Sequence, residues 1–236
     1  MKNTTRFNIV AVATLLLGSS VFASPLPLDN SLVGKKVTLT QGTGGAGGGG
    51  AFQIDVVGVG NTLDFISFCL EKSEYIQLTP PPAKATSYSI SSVADYAESL
   101  NSYTGTTYQD YVSSETKWVY YNYNFGTAFN SYIGEKKNLA NYVQEIIWKI
   151  EGEQATLSVD AAKFYLEYVQ GKWNKNYDNA VKVLNLVTYC SDGTTIKTYN
   201  QSQLVGNPVP EPATMLLFGT GIAGLAGVVR RRRTSN

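Results

Sequence analysis

The chain has 236 residues, with 19 basic side chains against 18 acidic ones and no histidine. The missing imidazole excludes Ser-His-Asp and Cys-His catalysis, the usual general base and any zinc site containing histidine. Setting aside residues 1–23 and 209–236 removes six basic residues and one acidic one. The remaining thirteen and seventeen give a net charge near −4, which argues against nucleic acid or an anionic membrane as partner.

Lys2 and Arg6 make a positive start, Ile9 to Leu17 an apolar core, and Val21-Phe22-Ala23 a small-residue cleavage site. This pattern predicts a signal peptide over 1–23. The next 185 residues, 24–208, suit one extracytoplasmic domain large enough to bury a core.

Lys36 to Thr40, Phe52 to Val59 and Leu63 to Leu70 are rich in β-branched and aromatic residues and predict strands. In the third, Leu63, Phe65 and Cys69 share one face, with Phe68 and Leu70 on the other. The glycine-rich run over 42–50 reads as a flexible loop, since no Gly-Lys-Ser/Thr follows to make a phosphate cradle. Pro80, Pro81 and Pro82 break the chain.

Four helical stretches are expected next. Ser92-Val-Ala-Asp95 resembles a capping box opening a helix towards Leu100. Tyr108 to Tyr123 has Tyr108, Tyr111, Val112, Trp118 and Val119 at roughly helical spacing. Lys137 to Ile150 carries a stripe of Leu139, Val143, Ile146, Ile147 and Ile150. Ser158 caps a fourth helix running to about Val169. Ala180 to Cys190 and Thr195 to Tyr199 close the domain as strands. Strands at both ends of a helical middle predict an α+β fold, with a β-sandwich or barrel part and an inserted helical part.

The tail differs in kind. Ala213 to Val229 is a seventeen-residue uncharged apolar run, followed by Arg230, Arg231, Arg232 and Arg233. Such a run predicts a transmembrane helix with the arginines cytoplasmic and the domain outside. The Gly-x-Gly-x-x-Gly pattern at Gly219, Gly221 and Gly224 falls inside that run, so it is read as close helix contact rather than a dinucleotide loop. With Pro210-Glu211-Pro212 in front, residues 209–236 resemble the PEP-CTERM sorting signal of exopolysaccharide-producing Gram-negative bacteria. The resemblance implies processing by a membrane-embedded exosortase, then release or attachment at the cell surface or in the extracellular matrix. A permanent single-span anchor is the alternative.

Cys69 and Cys190 are the two cysteines, and in an exported chain a disulfide between them is the default expectation. Phe68-Cys69-Leu70-Glu71 and Val143-Gln144-Glu145-Ile146-Ile147-Trp148 also resemble two halves of bacterial surface thioester domains. Val143 and Ile146 stand where that family's pattern has threonine and alanine. The resemblance implies an internal thioester between Cys69 and Gln144, shielded by Trp148, and adhesion through surface amine or hydroxyl groups. Non-covalent binding of exopolysaccharide, with a Cys69–Cys190 disulfide, is the alternative role. No paired carboxylates stand out as a hydrolase site, and neither enzyme activity, cofactor nor metal is expected. Tyr120, Tyr121 and Tyr123 form a near-continuous run that suits core and rim better than a flat sugar platform.

Overall fold

A computed structural model describes residues 28–46, 49–58, 66–74, 76, 88–100 and 106–209. The signal peptide expected over 1–23, Pro210, Glu211, Pro212, the apolar run 213–229 and Arg230 to Arg233 lie outside them. Among the described residues no helix is long and apolar enough to cross a membrane.

The fold is α+β. Among the described residues its strands are β1 (Lys36–Ala46), β2 (Gly49–Val56), β3 (Ile66–Ser67), β4 (Tyr88–Ala94), β5 (Tyr96–Leu100), β6 (Thr107–Tyr111), β7 (Val181–Tyr189) and β8 (Ile196–Gly206). Three helices, α1 (Ser114–Asn124), α2 (Lys136–Ile150) and α3 (Val159–Phe164), lie between β6 and β7. One antiparallel sheet runs β3-β2-β1-β4-β7-β8, and β5 and β6 pair separately.

The chain just past β3 closes that sheet on itself. Leu204 N–H donates to Phe68 O (2.9 Å), Leu70 N–H donates to Ser202 O (3.1 Å), and Cys69 pairs with Gln203 on β8. Hydrogen bonding therefore continues from the β3 segment to β8, so the two ends of the sheet order meet. Alternation along the strands gives the ring an interior of Val37, Leu39, Phe52, Ile54, Val56, Cys69, Ile90, Leu184, Leu186 and Val205. Phe68, Leu70, Val181, Val183 and Leu204 belong to a second core with Trp118, Val119, Tyr120, Val143, Ile146 and Ile147 from the helices. The sidedness expected of Cys69 against Phe68 and Leu70 is observed.

Where the elements differ from expectation, long-range contacts override local pattern. Ser92 caps no helix: its hydroxyl donates to Glu98 Oε1 (3.1 Å) and accepts from Asn185 Nδ2 (2.9 Å), and the segment becomes β4 and β5. The single helix expected over Tyr108–Tyr123 is two elements, because Thr107–Tyr111 pairs with β5 before Ser113 caps α1. The glycine-rich loop is largely the β1–β2 hairpin. At Gly42 a Cβ would lie 2.6 Å from Ala51 O, so the strands can approach only without a side chain. The Lys137–Ile150 stripe and the Ser158 cap stand, although the last turn of the latter helix, Tyr165–Val169, is a π-helix. Tyr120 and Tyr121 are buried and Tyr123 half-buried, as core and rim.

One ion pair ties these parts together. Lys117 on α1, with its side chain only 6% exposed, and Lys182 on β7 both hold Asp95 at the turn between β4 and β5 (2.6 and 2.8 Å). Burial pushes the Asp95 carboxyl up, but the two ammonium groups outweigh it and hold the group below its ordinary range. Asp95→Asn leaves Lys117 buried without its counter-charge. Because Asp95 itself is half-exposed, the expected loss in urea unfolding is about 2 kcal/mol, under the 3–5 kcal/mol typical of a broken, fully buried pair.

Candidate functional site

The polar interior of the ring is concentrated at one place. Gln201 and Gln203 project to the same side of β8 as Cys69 does from its segment, and all three are buried. The Cys69 sulfur lies 2.7 Å from Gln201 Oε1. Neutral O–H···O bonds already average about 2.7–2.8 Å, and sulfur is a much larger atom than oxygen. The contact is thus closer than an ordinary thiol hydrogen bond.

Gln203 fixes the other side of the sulfur. Its Nε2 donates to Cys69 Sγ at 3.4 Å, while its Oε1 accepts from the Ser67 hydroxyl at 2.9 Å. Gly50 N–H also donates to the sulfur, from a backbone φ of 141° that favours glycine. Burial pushes the Cys69 thiol well above its ordinary range. The donors from Gln203 and Gly50 offset part of this, and the nearby Glu71 adds to it. In its unreacted form the group is a neutral thiol.

Gln144 occupies a different place from the one expected. Its Oε1 accepts from Cys69 N–H (3.0 Å) and its Nε2 donates to Cys69 O (2.8 Å). A carboxamide presents one acceptor beside one donor, and here that edge is spent on both polar groups of one residue's main chain. Gln144 therefore clasps the Cys69 backbone, and Gln201 meets the sulfur. Trp148, one turn further along α2, joins the same interior cluster as Cys69, with the Lys72 ammonium 5.4 Å from its ring centre.

Cys190 is remote, and the expected Cys69–Cys190 disulfide is absent. Cys190 N–H donates to Thr195 O, whereas Cys69 pairs with Gln203, eight positions further along β8. At about 3.3 Å per strand residue the two are separated by roughly 25 Å. A disulfide needs Cα atoms within about 7 Å.

Glu71 completes the surroundings. Its main-chain oxygen accepts from Gln201 Nε2, and its Oε2 accepts from Ser202 N–H at 2.8 Å. Its Oε1 is shut off from solvent without a partner, as is Glu74 Oε2. Burial first, then Glu74, pushes Glu71 up to about 7. Burial and Glu153 do the same to Glu74. No group of acidic or sulfur ligands suited to a metal ion occurs among the described residues.

A second feature lies on the helical side. Tyr132, Tyr142, Phe164 and Tyr168, with Asp160, Lys163 and Glu167, line an open cleft of about 470 Å³. Phe164 and Tyr168 stack at 4.8 Å, an arrangement made by the π-helical turn, and Tyr132 meets Phe164 edge-on at 5.5 Å.

The strand expected over Thr195–Tyr199 is longer: β8 continues through the polar run Asn200-Gln201-Ser202-Gln203 to Gly206. A polar run followed at once by Leu204 and Val205 was the available signal.

Residues 208–233 match the family model of the PEP-CTERM protein-sorting motif. No curated protein and no solved structure matches the chain. The chain carries this sorting signal, which implies exosortase as its processing partner and export to the cell surface or extracellular space after processing at the membrane. Val209, the last described residue, lies beside α1, where its N–H donates to the Tyr121 hydroxyl (2.8 Å).

Two outcomes follow for stability. Gln144→Met removes both bonds to the Cys69 main chain and leaves two buried polar groups unpaired, an expected loss of about 2–4 kcal/mol in chemical denaturation. Glu71 and Glu74 titrate near 7 when folded but near the ordinary 4.5 when unfolded. Between those values the folded chain binds more protons, so stability falls as pH rises through the window. Thermal unfolding should occur at a higher temperature at pH 5 than at pH 8, and Glu71→Gln should flatten that dependence.

Proposed function

We propose that this exported domain is adhesive and works through an internal thioester between Cys69 and Gln201. The observation that carries the reading is the 2.7 Å approach of Sγ to Gln201 Oε1 inside a closed, buried ring. Resemblance to surface thioester domains drew attention to Cys69 and the helix carrying Gln144; contact with the sulfur favours Gln201 as the acyl partner instead.

The chemistry needs no histidine, metal or cofactor. Sulfur attacks the Gln201 Cδ, the C–N bond breaks, and the thiol proton departs with the NH2 group as ammonia. A later nucleophile, an amine or hydroxyl on a neighbouring surface, attacks the same carbon. The C–S bond breaks, the proton from the nucleophile returns to sulfur, and Gln201 becomes linked to its target. Proximity supplies most of the driving advantage, since both reactants are parts of one packed core. The clasp by Gln144 holds the Cys69 main chain while Cδ approaches. Trp148 covers the cluster from α2 and keeps water from competing.

The second reading is a non-covalent, polysaccharide-binding matrix module. It is supported by the aromatic cleft around Tyr132, Tyr142, Phe164 and Tyr168, whose rings and flanking carboxylates suit sugar faces and hydroxyls.

Intact-mass measurement of the purified full chain separates the two. The thioester reading expects a mass one ammonia below that of the same chain unreacted, with no deficit in Cys69→Ala or Gln201→Ala. Methylamine should abolish the deficit, and peptide mapping should place the methylamide on Gln201. A label on Gln144 would reinstate the partner expected from sequence, and a chain of full mass that resists methylamine would leave the non-covalent reading.

A further inference from the structure

The geometry points to Glu71 as the proton carrier of the acyl exchange at Cys69, an inference that rests on the thioester reading. Forming the bond requires the thiol proton to reach the departing amide nitrogen, and Cys69 is too buried to release that proton to solvent. Gln201 Nε2, the atom that leaves, is held on the main-chain oxygen of Glu71. The carboxyl of the same residue is fixed by Ser202 N–H, one peptide from Gln201, and its other oxygen is buried and free to accept.

Glu71 also lines a small cavity of about 10 Å³ with Leu70, Ala97, Asp110, Val112, Glu151 and Glu153. That volume admits about one water-sized molecule, which is the size of ammonia. Glu74 acts on the charge of Glu71, Asp110, Glu151 and Glu153 line the cavity with it, and the Cys69 thiol feels the charge of Glu71 in turn. Lys72, the nearest cation in sequence, is engaged elsewhere: its N–H donates to Glu153 Oε2 and its ammonium to Gln154 Oε1. A pocket of this size has room for the leaving ammonia.

The step balances without any further reagent. The Glu71 carboxylate takes the thiol proton as the S–C bond forms, then passes it to the nitrogen as the C–N bond breaks, and ends as carboxylate. In the reverse sense, when an amine opens the thioester, the carboxylate takes the proton of the attacking nitrogen and delivers it to sulfur. The ionised form is the starting state in both directions. Burial and Glu74 bring Glu71 to about 7, where both forms are present at neutral pH.

The test is the rate at which the intact full chain reacts with trifluoroethylamine, an amine largely uncharged at neutral pH, followed by mass from pH 6 to 8.5. The wild-type rate should rise through an inflection near 7. Glu71→Gln keeps the acceptor for Ser202 N–H and should react about 10²-fold more slowly without the inflection. Glu74→Gln removes a neighbouring charge and should move the inflection to lower pH, a readout that stands even if the Glu71 variant fails to fold. A wild-type profile without the inflection, an inflection unmoved in Glu74→Gln, or an unchanged rate in a folded Glu71→Gln overturns the role of Glu71. A wild-type chain with no ammonia deficit removes the thioester itself, a distinct failure that takes this proposal with it.

Discussion

Everything at the site depends on the short stretch Phe68–Leu70 completing the ring against β8. Its two main-chain bonds and the Cys69–Gln203 pairing bring a cysteine that is distant in sequence opposite two consecutive inward-facing amides. Strand alternation does the rest, because residues two apart on β8 share a face, so pairing Cys69 with Gln203 sets Gln201 beside the sulfur as well. A slip of one residue in that pairing would turn Ser202 towards the sulfur and the glutamines away. The Gln144 clasp secures the register from the helical side by occupying both polar groups of Cys69 that the ladder leaves over.

The buried amides explain how so polar a strand stays inside. Gln203 both donates to the sulfur and accepts from Ser67, Gln144 uses its two ends on one main chain, and Ser202 hydroxyl donates to Asn185 Oδ1 at 2.8 Å. Asn185 in turn accepts from Glu98 N–H and donates to Ser92, tying β8 through β7 to the β5–β6 hairpin. A polar core of this kind costs little only when nearly every group is paired. Among the buried polar atoms without a partner, Glu71 Oε1, Glu74 Oε2 and Trp148 Nε1 belong to the surroundings of the site, while Thr116, Tyr120, Asn141 and Asp178 supply the others.

Local pattern made part of this legible. The apolar stripe of α2, the Ser158 cap, the terminal strands and the opposed faces of Cys69 and Phe68 all follow from periods of 3.6 and 2.0, and they are found as expected. Ser92–Leu100 was misread because a serine three residues before an aspartate carries the same signature whether its hydroxyl caps a helix or reaches across to Asn185 and Glu98. The contact of Gln201 with the Cys69 sulfur was hidden for a related reason. Gln144 lies beside an Ile-Trp pair that attracts notice, whereas Gln201 sits in a polar run whose burial depends on β7 and on residues 67–70. Sequence placed a glutamine next to the cysteine, but only the register of β8 distinguishes the one on the backbone from the one on the sulfur.

The state of the thiol bears on what kind of work the site can do. A cysteine used for repeated catalysis needs a thiolate, and such groups are lowered by cations, helix ends or imidazole. Cys69 has none of these: burial pushes its thiol up, Glu71 adds to the effect, and the two donors on the sulfur offset only part of it. In the reading proposed above, such a neutral thiol is asked to make one bond inside the fold rather than to cycle through a thiolate.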